Sequence, residues 1–98
     1  MKPPDLSSDE IILLPIEDSL DLHAFQPKEI ASVVEEYLNE SQRAGFSEVR
    51  LIHGKGLGVQ RNIVRSVLSK HPAVLSFRDA PLEAGGWGAT IVVLKAQI

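Results

Sequence analysis

Three side chains able to bind or move protons stand beside or near a glycine-rich turn. Asp21 and His23 are two residues apart, and His53 opens the run His53-Gly54-Lys55-Gly56-Leu57-Gly58. An imidazole with a pKa near ~6.5 exchanges protons around neutrality, and a neighbouring carboxylate can orient the ring. Glycines let a backbone approach a ligand closely, and a helix that starts just beyond them offers unpaired N–H groups to an anion. Lys55 adds a point charge, and Arg61 and Arg65 follow in the same stretch. Together these residues suit a phosphate held on main-chain N–H groups with acid–base groups next to it. Each also has a plainer reading: a hydrogen-bonded structural histidine, an aspartate capping a strand, a tight turn between strand and helix.

Familiar phosphate motifs do not fit. A Walker loop needs GxxxxGK[ST], whereas Lys55 lies between Gly54 and Gly56. A dinucleotide fingerprint GxGxxG would need glycine where Val59 stands, although Asp79 lies roughly where an acidic ribose ligand would fall. The other glycine-rich segment, Gly85-Gly86-Trp87-Gly88 with Thr90, carries a tryptophan that either closes the edge of the core or offers a ring on which a base could stack.

The elements that must position these groups follow from periodicity. Leu20 and Leu22 alternate with Asp21 and His23, which predicts a short strand over Ser19 to His23. Pro27 suits a first helical turn, and Ile30, Val33, Val34, Tyr37 and Leu38 form one stripe of a helix that Gly45 ends. Glu48 to His53 reads as a strand apolar enough to be covered on both sides. A second helix runs from about Val59 to Lys70, and His71-Pro72 stops it. Leu75 to Asp79 and Ala89 to Lys95 are two further strands, separated by a Gly- and Pro-rich loop over Ala80 to Gly88. The order β-α-β-α-β-β with right-handed parallel crossovers predicts an α/β two-layer sandwich, a four-stranded mixed sheet with both helices packed against it. Ligands collect beyond the carboxyl ends of parallel strands, where Asp21, His23 and His53 would converge if the first two strands are neighbours.

Ninety-eight residues, 44% of them hydrophobic, suit a single domain over residues 19–98. Residues 1–18, rich in Pro, Ser and acids around Ile11-Ile12-Leu13-Leu14, are expected to form an extended or partly disordered arm. With no cysteine, disulfide and thiolate chemistry are excluded, and a reducing cytoplasm is compatible. The apolar run Ile11 to Ile16, broken by Pro15, is too short for a signal peptide or a membrane span, so a cytoplasmic protein without a membrane partner is expected.

A net charge of −3 argues at first against a nucleic-acid partner. Yet Arg50, Lys55, Arg61, Arg65, Lys70 and Arg78 all lie between Val49 and Arg78, with no Asp or Glu among them. The remaining four Lys and Arg residues face all thirteen acids, so the acidity belongs mainly to the arm and the first helix. Such a run is either a solvated face or a phosphate-binding surface.

Leu20-Asp21-Leu22-His23, Ile52-His53-Gly54-Lys55-Gly56-Leu57-Gly58, Phe77-Arg78-Asp79-Ala80 and Gly85-Gly86-Trp87-Gly88-Ala89-Thr90 occur in this order, and with them residues 19–95 resemble the Smr, or small MutS-related, domain family, here as a stand-alone member. The family's LDLHG signature maps onto Leu20 to His23, its HGxG signature onto His53 to Gly56, and its glycine-rich segment onto Gly85 to Thr90. Ala24 stands where the family usually has glycine. The resemblance implies a β-α-β-α-β-β sandwich similar to the C-terminal domain of a translation initiation factor. It also implies nucleic-acid binding, with nicking of DNA or cleavage of RNA in several members, including mRNA on collided ribosomes.

On that basis the expected activity is that of an endonuclease, with Asp21, His23 and His53 catalytic. Gly54, Lys55, Gly56, Gly58, Arg61, Arg65, Trp87 and Thr90 would hold the nucleic acid. Asp21 would orient an imidazole or, with the histidines, help to hold a divalent ion, Mg²⁺ or Mn²⁺; no fourth ligand declares itself. For RNA the 2′-hydroxyl could attack without a metal. The alternative is a non-catalytic nucleic-acid-binding module acting with a larger repair or ribosome-rescue machine. A third reading is a protein-binding adaptor that uses the acidic arm and the first helix. DNA against RNA, and oligomeric state, stay open.

Overall fold

The computed structural model describes residues 16–56 and 58–96. Most of the expected N-terminal arm, including Ile11 to Leu14, and Leu57 of the glycine turn lie outside the described residues. In chain order the elements are β1 (Ser19–Asp21), α1 (Pro27–Arg43), β2 (Glu48–Ile52), α2 (Val59–Lys70), β3 (Val74–Asp79), two short 3-10 turns (Leu82–Ala84 and Gly86–Gly88) and β4 (Ala89–Leu94). The four strands form one mixed sheet in the order β1-β2-β4-β3. β1 runs parallel to β2, and β4 is antiparallel to both of its neighbours. The α/β sandwich expected from the periodicities is therefore the one observed.

Local chemistry explains the element ends. Pro27 opens α1, and the Glu29 carboxylate accepts the backbone N–H of Gln26 at 2.8 Å, which satisfies a donor the helix leaves free. Gly45, at φ +87°, then turns the chain out of α1. α2 starts after Gly58, also left-handed, and stops at His71, whose extended conformation is imposed by Pro72. His71 accepts the Ala73 N–H on Nδ1 at 3.0 Å, so its Nε2–H donates to Asn39 Oδ1 at 3.0 Å and ties α2 to α1.

β1 is shorter than the alternation predicts. Asp21 Oδ1 accepts the backbone N–H of His23 at 2.9 Å, an Asx-type turn that bends the chain away after Leu22. The Leu22 N–H still donates to Ile52 O at 2.8 Å, so the ladder runs one residue past the strand.

Both helices lie on the same face of the sheet. Ile30, Val34, Tyr37 and Leu38 of α1 and Val64, Val67 and Leu68 of α2 pack with Val49, Leu51, Val92 and Leu94 into the main core. The expectation that β2 is covered on both sides is thus corrected: Val49 and Leu51 are buried, whereas Arg50 and Ile52 on the opposite face are only half-buried. That face carries a second, small cluster of Ala80, Ala89 and Ile91 with Ile52 and Ala84, partly roofed by the loop before β4. Arg50 donates to Ala84 O at 3.0 Å and pins this loop down. Among the described residues no helix is long and apolar enough to cross a membrane.

Candidate functional site

Asp21 and His23 form an exposed pair. His23 Nδ1 lies 2.6 Å from Asp21 Oδ1, and because a carboxylate only accepts, Nδ1 carries the proton. With the proton on Nδ1, Nε2 is the nitrogen that a neutral ring leaves free to accept one. The backbone N–H of His23, and then its ring, hold the Asp21 carboxyl below its ordinary value. Nε2 does not point at random into solvent: a Cβ placed on Gly54 would come within 2.9 Å of it. Gly54 also sits at φ +82°, so both space and backbone reserve this position for glycine.

His53 is differently placed. Asp21 is in register with Ile52, one residue before His53, and alternation across a strand sends His53 to the helix-covered face, opposite Asp21. Only 5% of its surface is exposed. Nδ1 lies 2.9 Å from Gly54 O and must donate to it, so Nε2 accepts the hydroxyl proton of Thr90 at 2.8 Å. Burial, the dominant cause, together with nearby Arg61 and Arg65 pushes His53 below its ordinary value and keeps it neutral. The expected convergence of Asp21, His23 and His53 on one opening is therefore corrected to an exposed dyad with a buried histidine behind the glycine turn. Thr90, expected at the phosphate, is wholly buried and touches His53 instead.

The glycine turn is locked to the loop before β4. The N–H groups of His53 and Gly54 both donate to Gly88 O, at 3.1 and 2.8 Å. A Cβ on Gly88 would meet Lys55 Cγ at 3.1 Å and Gly54 C at 3.5 Å. Behind the turn lies a cavity of about 150 Å³ lined by His53, Gly54, Gly56, Gly58, Val59, Gln60 and Arg61. The first turn of α2 contains no acid, and its leading N–H groups have no partner within the helix, which favours an anion there. Lys55 and Gly56 are exposed, and Lys55 Nζ lies 5.7 Å from the centre of the Trp87 ring. Gln60, which no sequence signal singled out, donates from Nε2 to Phe25 O at 3.1 Å and joins the start of α2 to the turn that carries His23.

The six clustered cations do not share one face. Arg61 and Arg65 each donate from Nη2 to Asp79 Oδ1, at 2.8 and 2.7 Å. Arg61, then Arg65, hold the Asp79 carboxyl below its ordinary value. Arg50 and Arg78 both pair in register with Ile91, which puts them on the open side of the sheet, where Arg78 faces Glu48 at 3.7 Å. Lys70 ends α2. Of the six, Lys55 lies in the glycine turn and Arg61 lines the cavity behind it. Asp79 could have been suspected as the one acid following an acid-free run, but only the packing of β3 beside α2 brings both arginines to it.

The proposed metal ligands do not fit a divalent ion. Asp21 Oδ1 is occupied by His23, both His53 nitrogens are engaged, and His53 points to the other face. Among the described residues no three His, Asp or Glu side chains gather to hold an ion.

The Smr domain profile matches residues 20–95. Over 80 residues, 82% of this chain, the sequence is 40% identical to Endonuclease MutS2 of Clostridium perfringens, and over 75 residues it is 41% identical to Endonuclease MutS2 of Helicobacter pylori. In both cases the match spans 10% of the relative's length. The fold is similar to the crystal structure of the Smr domain of Thermus thermophilus MutS2, with a TM-score of 0.77 and 38% identity over 81% of this chain and 99% of that one. It is also similar to YdaL, a stand-alone small MutS-related protein from Escherichia coli, with a TM-score of 0.70 and 31% identity over 83% of this chain and 66% of that one.

Proposed function

The chain belongs to the Smr domain family, and from that premise we propose that it is an endonuclease that cleaves phosphodiester bonds in nucleic acid, with His23 as its general base. The observation that carries this reading is the His23 ring itself, oriented by Asp21 at 2.6 Å and turned with its bare Nε2 toward Gly54. A phosphate seated on the glycine turn and the start of α2 would lie against that nitrogen. Nε2 would take the proton of the attacking hydroxyl, from water or from the 2′-hydroxyl of RNA; as the new P–O bond forms, the P–O bond to the leaving sugar oxygen breaks, and that oxygen takes a proton from solvent. Asp21 would stabilise the imidazolium that forms. Lys55 and the free N–H groups at the start of α2 would stabilise the negative charge that grows on the phosphate oxygens.

His53 serves in this scheme as a positioning residue. Its Nδ1–H holds the Gly54 carbonyl, and through it the turn, while Thr90 fixes the ring. No step is assigned to a metal, because the residues that were candidates to bind one are divided between two faces.

The test is cleavage of a supercoiled plasmid and of a structured RNA, each with Mg²⁺ and with EDTA. His23→Ala should lower cleavage by about 10²- to 10⁴-fold while leaving affinity for the uncut substrate nearly unchanged. Burial of His53 leaves His23 as the one accessible histidine at the turn, and this favours, as a second reading, a binding module that delivers nucleic acid to a larger repair or ribosome-rescue machine. Salt-dependent binding with no cleavage by the parent protein would select that reading.

A further inference from the structure

Building on the endonuclease reading, we infer that Lys55 and Trp87 form a subsite for one unpaired nucleotide next to the scissile phosphate, with the base on the indole and its phosphate on the ammonium group. The sequence allowed Trp87 to be a plug at the edge of the core. Trp87 belongs to neither hydrophobic cluster, and half of its surface is open to solvent. A tryptophan that leaves this much apolar ring in water is not sealed into the core, and an exposed aromatic ring with a cation over it suits a nucleotide.

The backbone that carries the ring is held in place. Trp87 lies in the 3-10 turn Gly86–Gly88, which is closed by Gly86 N–H to Pro81 O and Gly88 N–H to Gly85 O, each at 3.0 Å. Gly88 O then receives both His53 and Gly54 N–H groups. Stacking on a ring whose backbone is already fixed leaves only two side-chain torsions to order. The same hydrogen bonds set the position of the ring relative to the chemistry: Trp87 adjoins Gly88, Gly88 is bonded to Gly54, and Gly54 faces His23 Nε2. Lys55 Nζ lies over the ring, 5.7 Å from its centre; this exposed, flexible ammonium swings off the indole as the base stacks, toward the phosphate it would hold.

A base within a duplex already has neighbours on both faces, so the indole can accept only a base that is single-stranded, in a loop or flipped out. Stacking tolerates any base, because each has a π-face. The subsite therefore selects unpaired over paired substrate and imposes little sequence preference.

Trp87 is the one tryptophan in the chain, which makes its fluorescence a direct reporter. The His23→Ala protein, which leaves the probe intact, is titrated with an eight-nucleotide single-stranded RNA, with the DNA of the same sequence, with the corresponding duplexes, and with an oligonucleotide of abasic sites. Quenching by the single strands, but not by the duplexes or the abasic chain, is expected. In anisotropy titrations with the labelled single strand, Trp87→Ala should weaken binding by roughly 5- to 150-fold, Trp87→Phe should restore most of it, and the melting temperature should change little. Equal quenching by duplex and single strand, or unchanged affinity in Trp87→Ala, overturns the subsite. Cleavage is scored separately on the wild-type protein: cutting without quenching overturns the subsite and leaves the endonuclease reading, while quenching without cutting supports the subsite and removes that reading.

Discussion

Thr90→Val isolates the buried link between the glycine turn and the sheet. Thr90 is fully buried, and its hydroxyl donates to His53 Nε2 at 2.8 Å. Valine keeps the shape but leaves that nitrogen as a buried acceptor without a donor, at a cost of about 1–3 kcal/mol. The added methyl returns up to ~0.8 kcal/mol of apolar burial, so the net loss is about 0.2–2 kcal/mol. For a domain of this size that corresponds to a fall in Tm of roughly 1–16 °C. Urea unfolding followed by far-UV circular dichroism at pH 7.5 measures it, and Thr90→Ser, which keeps the hydroxyl, should leave His53 bonded. The cost should persist in acid. His53 is held below its ordinary 6.5 in the folded protein, so the stability that its neutral form contributes is complete above pH 6.5 and is lost as pH falls through the folded value. Once the folded ring is protonated, its Nε2–H donates to the Thr90 hydroxyl instead, so valine still leaves that nitrogen without a partner. A Thr90→Val protein as stable as the parent, or more stable, at pH 7.5 would refute the assigned hydrogen bond, because an orphaned buried acceptor costs more than the methyl returns. A cost that vanishes in acid would do the same.

Gly54→Ala combines a positive φ with a Cβ 2.9 Å from His23 Nε2. It should cost about 1–3 kcal/mol in stability and shift the His23 ring resonances in NMR spectra. Asp79→Ala releases Arg61 and Arg65; if they then meet phosphates, the plot of log affinity for duplex DNA against log salt should steepen by roughly 0.9 per arginine. An unchanged slope would place both guanidinium groups away from the ligand. Asp21 and Asp79 are both held below the ordinary 3.8, so the stability they contribute is present above that pH and is lost as pH falls through their folded values. Thermal melts between pH 5 and pH 2 should therefore show a weaker acid dependence in Asp21→Asn and in Asp79→Asn than in the parent.

Local signals in the chain carried most of the architecture. The 3.6-residue stripe beginning at Ile30, the start of α2 after Gly58 and its stop before Pro72 depend on residues a few positions apart, and so does the β-α-β-α-β-β order. The Asp21-His23 contact was legible for the same reason, since both groups belong to one turn. The partnership of the other groups was not. It depends on the Asp21 to Ile52 register, and an offset of one residue between strands exchanges their faces. That offset hides His53 behind the turn, hands it to Thr90 of β4 and separates it from the dyad. The placement of β3 beside α2 likewise gives Arg61 and Arg65 to Asp79, dividing a charge cluster that looks continuous along the chain. The sequence alone determined which groups the protein has and the elements that bear them. The tertiary structure decided which of them meet, because register and helix placement are set by the packing of the whole core and not by any one segment.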